Sequence, residues 1–187
     1  MNTKKSICLI ILFCFLLVSC GKHDSIPESG IGDIEPPHYT QESDLVKYLE
    51  DMKSDRKIDC YYKVISVPDI LTFSYIRPQN IYIGWFYSYS DADAGYPYFT
   101  WTIDNNGQER LESAIGNEKL QRIENTDYYY SMVPNVDWPD IEAICAIEWV
   151  KDDYNFRLNI PVKYVANGNT VDIDAVNKYT LLEKIAI

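Results

Sequence analysis

Two histidines, His23 and His38, are the only imidazoles in this 187-residue chain, and both precede residue 41. Histidine is the usual base at neutral pH, and a hydrolytic serine or cysteine needs one beside it. Their placement argues against Ser-His-Asp and Cys-His machinery, and against most zinc sites, which draw on His and Cys. Neither common glycine-rich phosphate loop is present. Carboxylate chemistry remains, because two acids facing one glycosidic bond can cleave it. Glu142 with Glu148, or Asp172 with Asp174, have suitable types and spacing. In a chain with twenty-eight acids such pairs also arise by chance, so these are expected to be solvated surface groups. In SDADAG, Ser90 to Gly95, Asp91 and Asp93 are spaced as in a calcium loop. Counted from Asp91, however, the sixth and twelfth positions are Tyr96 and Thr102, where an EF-hand needs Gly and an acid. An acidic hairpin turn is the expectation, with no metal, no cofactor and no enzymatic activity.

The aromatic content is the most unusual feature: sixteen Tyr and four Trp, with clusters in WFYSYS, YPYFTW and DYYYSM. Such side chains bury a large body and keep a polar tip, which suits sheet interiors and binding surfaces alike. Most are expected to pack. Tyr82, Phe86 and Tyr98, close to Asp91 and Asp93, form the candidate exposed face for a protein or glycan.

The N-terminus carries Lys4 and Lys5, an apolar run from Ile7 to Val18, then Ser19 and Cys20, the order of a secretory signal. Twelve apolar residues, at ~1.5 Å each, are too short for a ~30 Å hydrocarbon core, and no later segment supplies about twenty. At Leu17-Val18-Ser19-Cys20 the chain resembles a bacterial lipoprotein precursor, whose lipobox ends in the cysteine that becomes the new N-terminus. The resemblance covers the first twenty or so residues. It implies diacylglyceryl on the Cys20 thiol, cleavage after Ser19, and acylation of the freed amine. One acyl chain, at ~0.8 kcal/mol per buried CH₂, holds a protein only reversibly, and two or three hold it stably. It also implies an envelope location, with the outer membrane favoured in a two-membrane cell, because Gly21 is not the Asp that often retains such products at the inner one.

Cleavage leaves Cys60 and Cys145 as the remaining pair in a compartment where disulfides persist, and a bridge between them is expected. Closing so long a loop would restrain the unfolded chain by about 4 to 5 kcal/mol. The alternative is two buried thiols. Loss of residues 1–19 would also remove two lysines and no acid from a chain whose formal charge is already -11. Such a surface repels phosphate backbones and anionic lipid. Nucleic acid is therefore not an expected partner, and membrane contact should run through the acyl chains.

Residues 20–40 hold three Gly, three Pro and no apolar period, which describes a flexible tether of roughly 25 Å reach. Residues 41–187 suit a single domain. Leu45, Tyr48, Leu49 and Met52 predict a helix after Thr40, with Glu42 and Asp44 in its first turn. The period then becomes two. Strands are expected in YYKVIS, ILTFSYI, NIYIGWFYSYS and YPYFTWTID, the last two as a hairpin. NNGQERLESAIGNEKLQRI reads as a short or broken helix. PDIEAICAIEWV is ambiguous: Pro139 at a first helical position argues for a helix and the alternation of Ile141, Ala143, Cys145, Ile147 and Trp149 for a strand, the strand being favoured because KDDYN would then join it to another hairpin partner. Phe156 to Tyr164 alternates as a strand, with Pro161 pointing to an edge or bulge and Asn167-Gly168 to a hairpin turn. The fold class is α+β: mainly antiparallel sheet built of hairpins, one N-terminal helix and one or two short helices. The functional expectation is an envelope lipoprotein acting by protein binding, of accessory or toxin-immunity type. A glycan or small-ligand binder using the aromatic hairpin, and a carboxylate hydrolase, are the alternatives.

Overall fold

The computed structural model describes residues 37–56, 58–79, 81–89, 95–104, 106–134, 141–168 and 170–187. The expected signal, Cys20, Asp91 and Asp93 lie outside these residues. Helix α1 (Glu42–Arg56) opens the domain, with Glu42 and Asp44 complementing the positive end of its dipole and Leu45 and Leu49 fully buried. Strands β1 (Cys60–Val64), β2 (Thr72–Pro78), β3 (Tyr82–Ser88) and β4 (Tyr96–Thr102) precede helix α2 (Gly107–Glu118). Then come β5 (Gln121–Arg122), β6 (Tyr129–Pro134), β7 (Ala143–Lys151) and β8 (Tyr154–Pro161). A 3₁₀ turn (Val162–Tyr164), the small hairpin β9 (Ala166–Asn167) and β10 (Thr170–Val171), helix α3 (Ile173–Tyr179) and β11 (Leu182–Ala186) complete the chain.

Seven strands form one antiparallel sheet in the order β2-β3-β4-β8-β7-β6-β5, and β1 pairs with β11 in a separate ribbon. The fold is thus α+β with a mainly antiparallel sheet. Directly paired residues share a face, so register separates two surfaces. One row, Ile76, Trp85, Phe99, Leu158, Ile147 and Tyr130, crosses six strands and is apolar apart from a hydroxyl. This face packs into the core with α1, the ribbon and α3; Tyr62 of β1 sits edge-on to Trp101 and Phe156, at 5.4 and 5.0 Å between centroids. The adjacent row runs through all seven strands on the other face: Arg77, Gly84, Thr100, Arg157, Glu148, Tyr129 and Arg122. The α2 helix lies over that polar face.

Local chemistry explains the joints. Asp152 and Asp153, with φ of 51° and 66°, make the two-residue turn between β7 and β8, since short Asx side chains tolerate the left-handed region that such turns demand. The Asp172 carboxylate accepts from the N–H groups of Asp174 and Ala175 and caps α3, the usual role of an aspartate at that position. Gly168, at φ 61°, lies in the connection between β9 and β10.

Four expectations need correction. The bridge between Cys60 and Cys145 is absent, and both are free buried thiols. Cys60 opposes Ala186 in the ribbon, whereas Cys145 lies between Met132 and Ile160 inside the large sheet, so each is held in a ladder of its own. β8 is an interior strand between β4 and β7, not an edge; Pro161 ends the strand, and the chain turns into the 3₁₀ segment instead of continuing to Tyr164. Residues 37–40 belong to the domain and not to the tether: Tyr39 exchanges backbone hydrogen bonds of 2.8 and 2.7 Å with Ile76 on the outer side of β2, and His38 stacks on Tyr75. The expectation for the solvated acids fails at Glu148, which is 3% exposed.

Candidate functional site

Two concavities deserve a chemical description, one on each side of the seven-stranded sheet. The first is a cleft of about 400 Å³ between the polar sheet face and α2, lined among others by Tyr82, Thr100, Arg110, Glu148, Asn155 and Arg157. Its walls come from strict alternation. On β8, Phe156, Leu158 and Ile160 enter the core, which sends Asn155, Arg157 and Asn159 to the cleft. The α2 helix can approach because Gly107 donates its N–H to the carbonyl of Asp153 at 2.9 Å, where a Cβ would lie 2.5 Å from that same oxygen.

The cleft is held by a shared guanidinium. Nη1 of Arg157 donates to both oxygens of Glu118, each at 2.8 Å, and to Oε1 of Glu148 at 2.9 Å, tying the end of α2 to β7 and β8. Nε of Arg157 donates to Asn159 at 3.1 Å, and Asn159 donates to the Pro97 carbonyl at 2.6 Å. The backbone N–H of Asn155 donates to the Thr102 hydroxyl at 3.0 Å. Burial pushes the Glu148 carboxyl above the ordinary glutamate value, against the attraction of Arg157. Burial also opposes the charge of Arg157, but its bonds to Glu118 and Glu148 outweigh it and the guanidinium is raised. At the helix start, Arg110 pairs with Asp104 through Nε and Nη2, and that hydrogen bond holds the Asp104 carboxyl below its ordinary value.

The second concavity, about 580 Å³, lies on the core side where β2 and β3 run past the cover of α1 and the ribbon. Trp85 and Tyr87 of β3 and Phe73 of β2 line it, with Val64, Ile65 and Val67 opposite. Phe73 stands 6.1 Å from the Trp85 ring and 5.7 Å from that of Tyr87. Trp85 is fixed from below, its indole N–H donating to the Tyr62 carbonyl at 3.1 Å. Ile65, Phe73 and the adjacent Leu181 remain 58%, 38% and 56% exposed. Glu42 and Glu183 flank the groove, with Lys63 between them, bonded to Glu42 at 3.0 Å and 3.6 Å from Glu183. Burial first, and then the charge of Glu42, pushes the Tyr87 phenol up to about 12.

Of the residues singled out from sequence, Tyr82 borders the cleft. Phe86 is buried, its ring folded over Gly84 and stacked on Tyr75 at 4.7 Å. Tyr98 is 0% exposed and 5.1 Å from Tyr87, so Tyr82, Phe86 and Tyr98 do not form one exposed face. Register shifts between Phe73 and Tyr75 and between Trp85 and Phe86 break the alternation on which that expectation rested. Glu142 is exposed just before β7 and lies six positions from Glu148 along extended chain, about 20 Å; Asp172 is spent on its helix cap. The acid that does meet Glu148 is Glu118, from α2, and the two share one guanidinium. Sequence reasoning passed over Glu118, Thr100 and Asn155. The alternation of Asn155, Arg157 and Asn159 was the available signal.

Among the described residues no group of three or more His, Cys, Asp or Glu could hold a metal, and no helix is long and apolar enough to cross a membrane. Comparison with protein families, curated proteins and solved structures finds nothing that matches this chain.

Proposed function

We propose that this protein is a lipid-anchored component of the bacterial envelope, held by acyl chains on Cys20, whose domain acts by docking a protein in the manner of an accessory or toxin-immunity factor. The observation that supports docking is the groove beside Phe73, Trp85 and Tyr87, with Ile65, Phe73 and Leu181 left open to water. Exposed aliphatic and aromatic groups around a rigid tryptophan are the composition of an interaction centre with a polar rim. Glu42, Glu183 and the overall charge of -11 select the partner's chemistry: an apolar anchor flanked by Lys or Arg.

The test is a photo-reactive residue placed at Leu181 of the full-length membrane-anchored protein. A discrete adduct is expected, lost in the pair Ile65→Asp and Phe73→Asp and weakened by salt, with unchanged thermal melting of the variants. Absence of an adduct, or one indifferent to both changes, overturns the docking reading. The anchor is tested separately by labelling with an alkyne fatty acid, which Cys20→Ser should abolish.

A further inference from the structure

We propose that the cleft beneath α2 is a second binding site, taking a neutral polyhydroxylated ligand, with a saccharide unit as the chemical class that fits. It lies on the opposite sheet face from the groove and shares none of that groove's lining residues. The argument turns on which lining groups retain hydrogen-bonding capacity. The hydroxyls of Thr100 and Tyr82, Oδ1 of Asn155 and Nη1 of Arg110 have no partner among the described residues. Oε2 of the buried Glu148 receives only a long contact, 3.4 Å, from Asn155.

These five groups mix donors with acceptors. A carboxylate or phosphate asks for donors alone, and the two guanidiniums it would meet, Arg110 and Arg157, are already paired with three acids, Asp104, Glu118 and Glu148. An ammonium asks for acceptors alone, and it would meet Arg110 and Arg157. A hydroxyl donates and accepts at once, so a ring bearing several can satisfy each group in turn. The volume, about 400 Å³, is within the range of small-molecule sites and holds one or two sugar rings. Pro97 and the ring of Tyr82 give apolar surface for the C–H face of such a ring. The walls are fixed beforehand, since Arg157, Asn159 and Asn155 are already bonded to neighbours, so little ordering is left for the ligand to impose.

The test uses the full-length protein in detergent, with glucose, galactose, N-acetylglucosamine and cellobiose as neutral probes and glucuronate and glucosamine as charged ones. Binding is read by isothermal titration calorimetry and by saturation-transfer NMR. At least one neutral probe is expected to saturate. The double variant Thr100→Val, Tyr82→Phe should weaken it about tenfold, the effect of two ordinary hydrogen bonds, while Phe73→Asp leaves it unchanged. Because neither hydroxyl has a partner, the double variant should melt as the native protein does. Should it fail to fold, Ala114→Trp fills the cleft from the helix side and should abolish binding. The proposal is overturned if no neutral probe binds, if glucuronate or glucosamine binds as tightly, or if affinity is indifferent to these changes.

Discussion

Helix α2 contains two glycines that should answer alanine substitution in opposite directions. At Gly107 a Cβ would fall 2.5 Å from the carbonyl oxygen of Asp153, 2.6 Å from the carbonyl carbon of Tyr154 and 2.7 Å from the amide nitrogen of Asn155. All three are backbone atoms of the β7–β8 turn and the start of β8 and cannot swing aside, so the helix must retreat by most of an ångström to reach ordinary contact. That retreat breaks the 2.9 Å bond from Gly107 N–H to Asp153, a loss of about 1 kcal/mol. Residual crowding adds about 1 to 3 kcal/mol. A total of about 1 to 3 kcal/mol follows, once alanine's better helix propensity, about 1 kcal/mol, is set against it. At Gly116, exposed and with nothing within 4 Å of the added carbon, only propensity acts, and Gly116→Ala should stabilise by about 0.5 to 1 kcal/mol. Urea unfolding of the two variants measures the difference, about 3 kcal/mol, with unchanged m-values. In thermal melts the loss at Gly107 corresponds to roughly 2 to 4 °C per kcal/mol for a domain of this size. If Gly107→Ala proves as stable as the native chain, or if both variants shift alike, the close docking of α2 on the turn is refuted.

Two further predictions concern ionisation and thiols. Because burial raises the Glu148 carboxyl, the folded state keeps its proton to a higher pH than the unfolded chain does. Its contribution is complete below the ordinary glutamate value and is lost as pH rises through the folded value. Glu148→Gln should therefore gain on the native protein in melting temperature as pH rises above the ordinary glutamate value, and a gap moving the other way contradicts the burial argument. Cys60 and Cys145 should both resist a thiol reagent in the folded protein, with burial pushing Cys145 up to about 12, and both should titrate in denaturant without reductant; finding no titratable thiol there would restore the bridge.

The hairpin β3–β4, the strand character of β7 and helix α1 were legible because their apolar residues repeat with a single period over seven or more positions. Cys60 and Cys145 were misread because counting cysteines identifies a compartment, whereas bridging depends on which ladders the two residues join, a long-range property. Pro161 points from sequence to an edge or a bulge, yet a proline at the last position of an interior strand leaves few ladder bonds to break. The cleft was the least legible part. Glu118 and Glu148 lie 30 positions apart and meet only because a left-handed Lys119, at φ 55°, ends α2 over β8. The groove escaped for the opposite reason: Trp85 and Tyr87 carry the signature of a core strand, and local sequence does not record where the cover over a sheet stops.

The strap from residue 37 to Tyr39 also bears on behaviour in a crowd. By occupying the outer side of β2 at Ile76 it blunts one margin of the large sheet, and the other margin, β5, is only two residues long. Unpaired strand margins are the templates on which copies of a sheet protein polymerise. At these two margins a molecule built this way offers its neighbours only short stretches of ladder to extend, even when it is concentrated on a surface at high density.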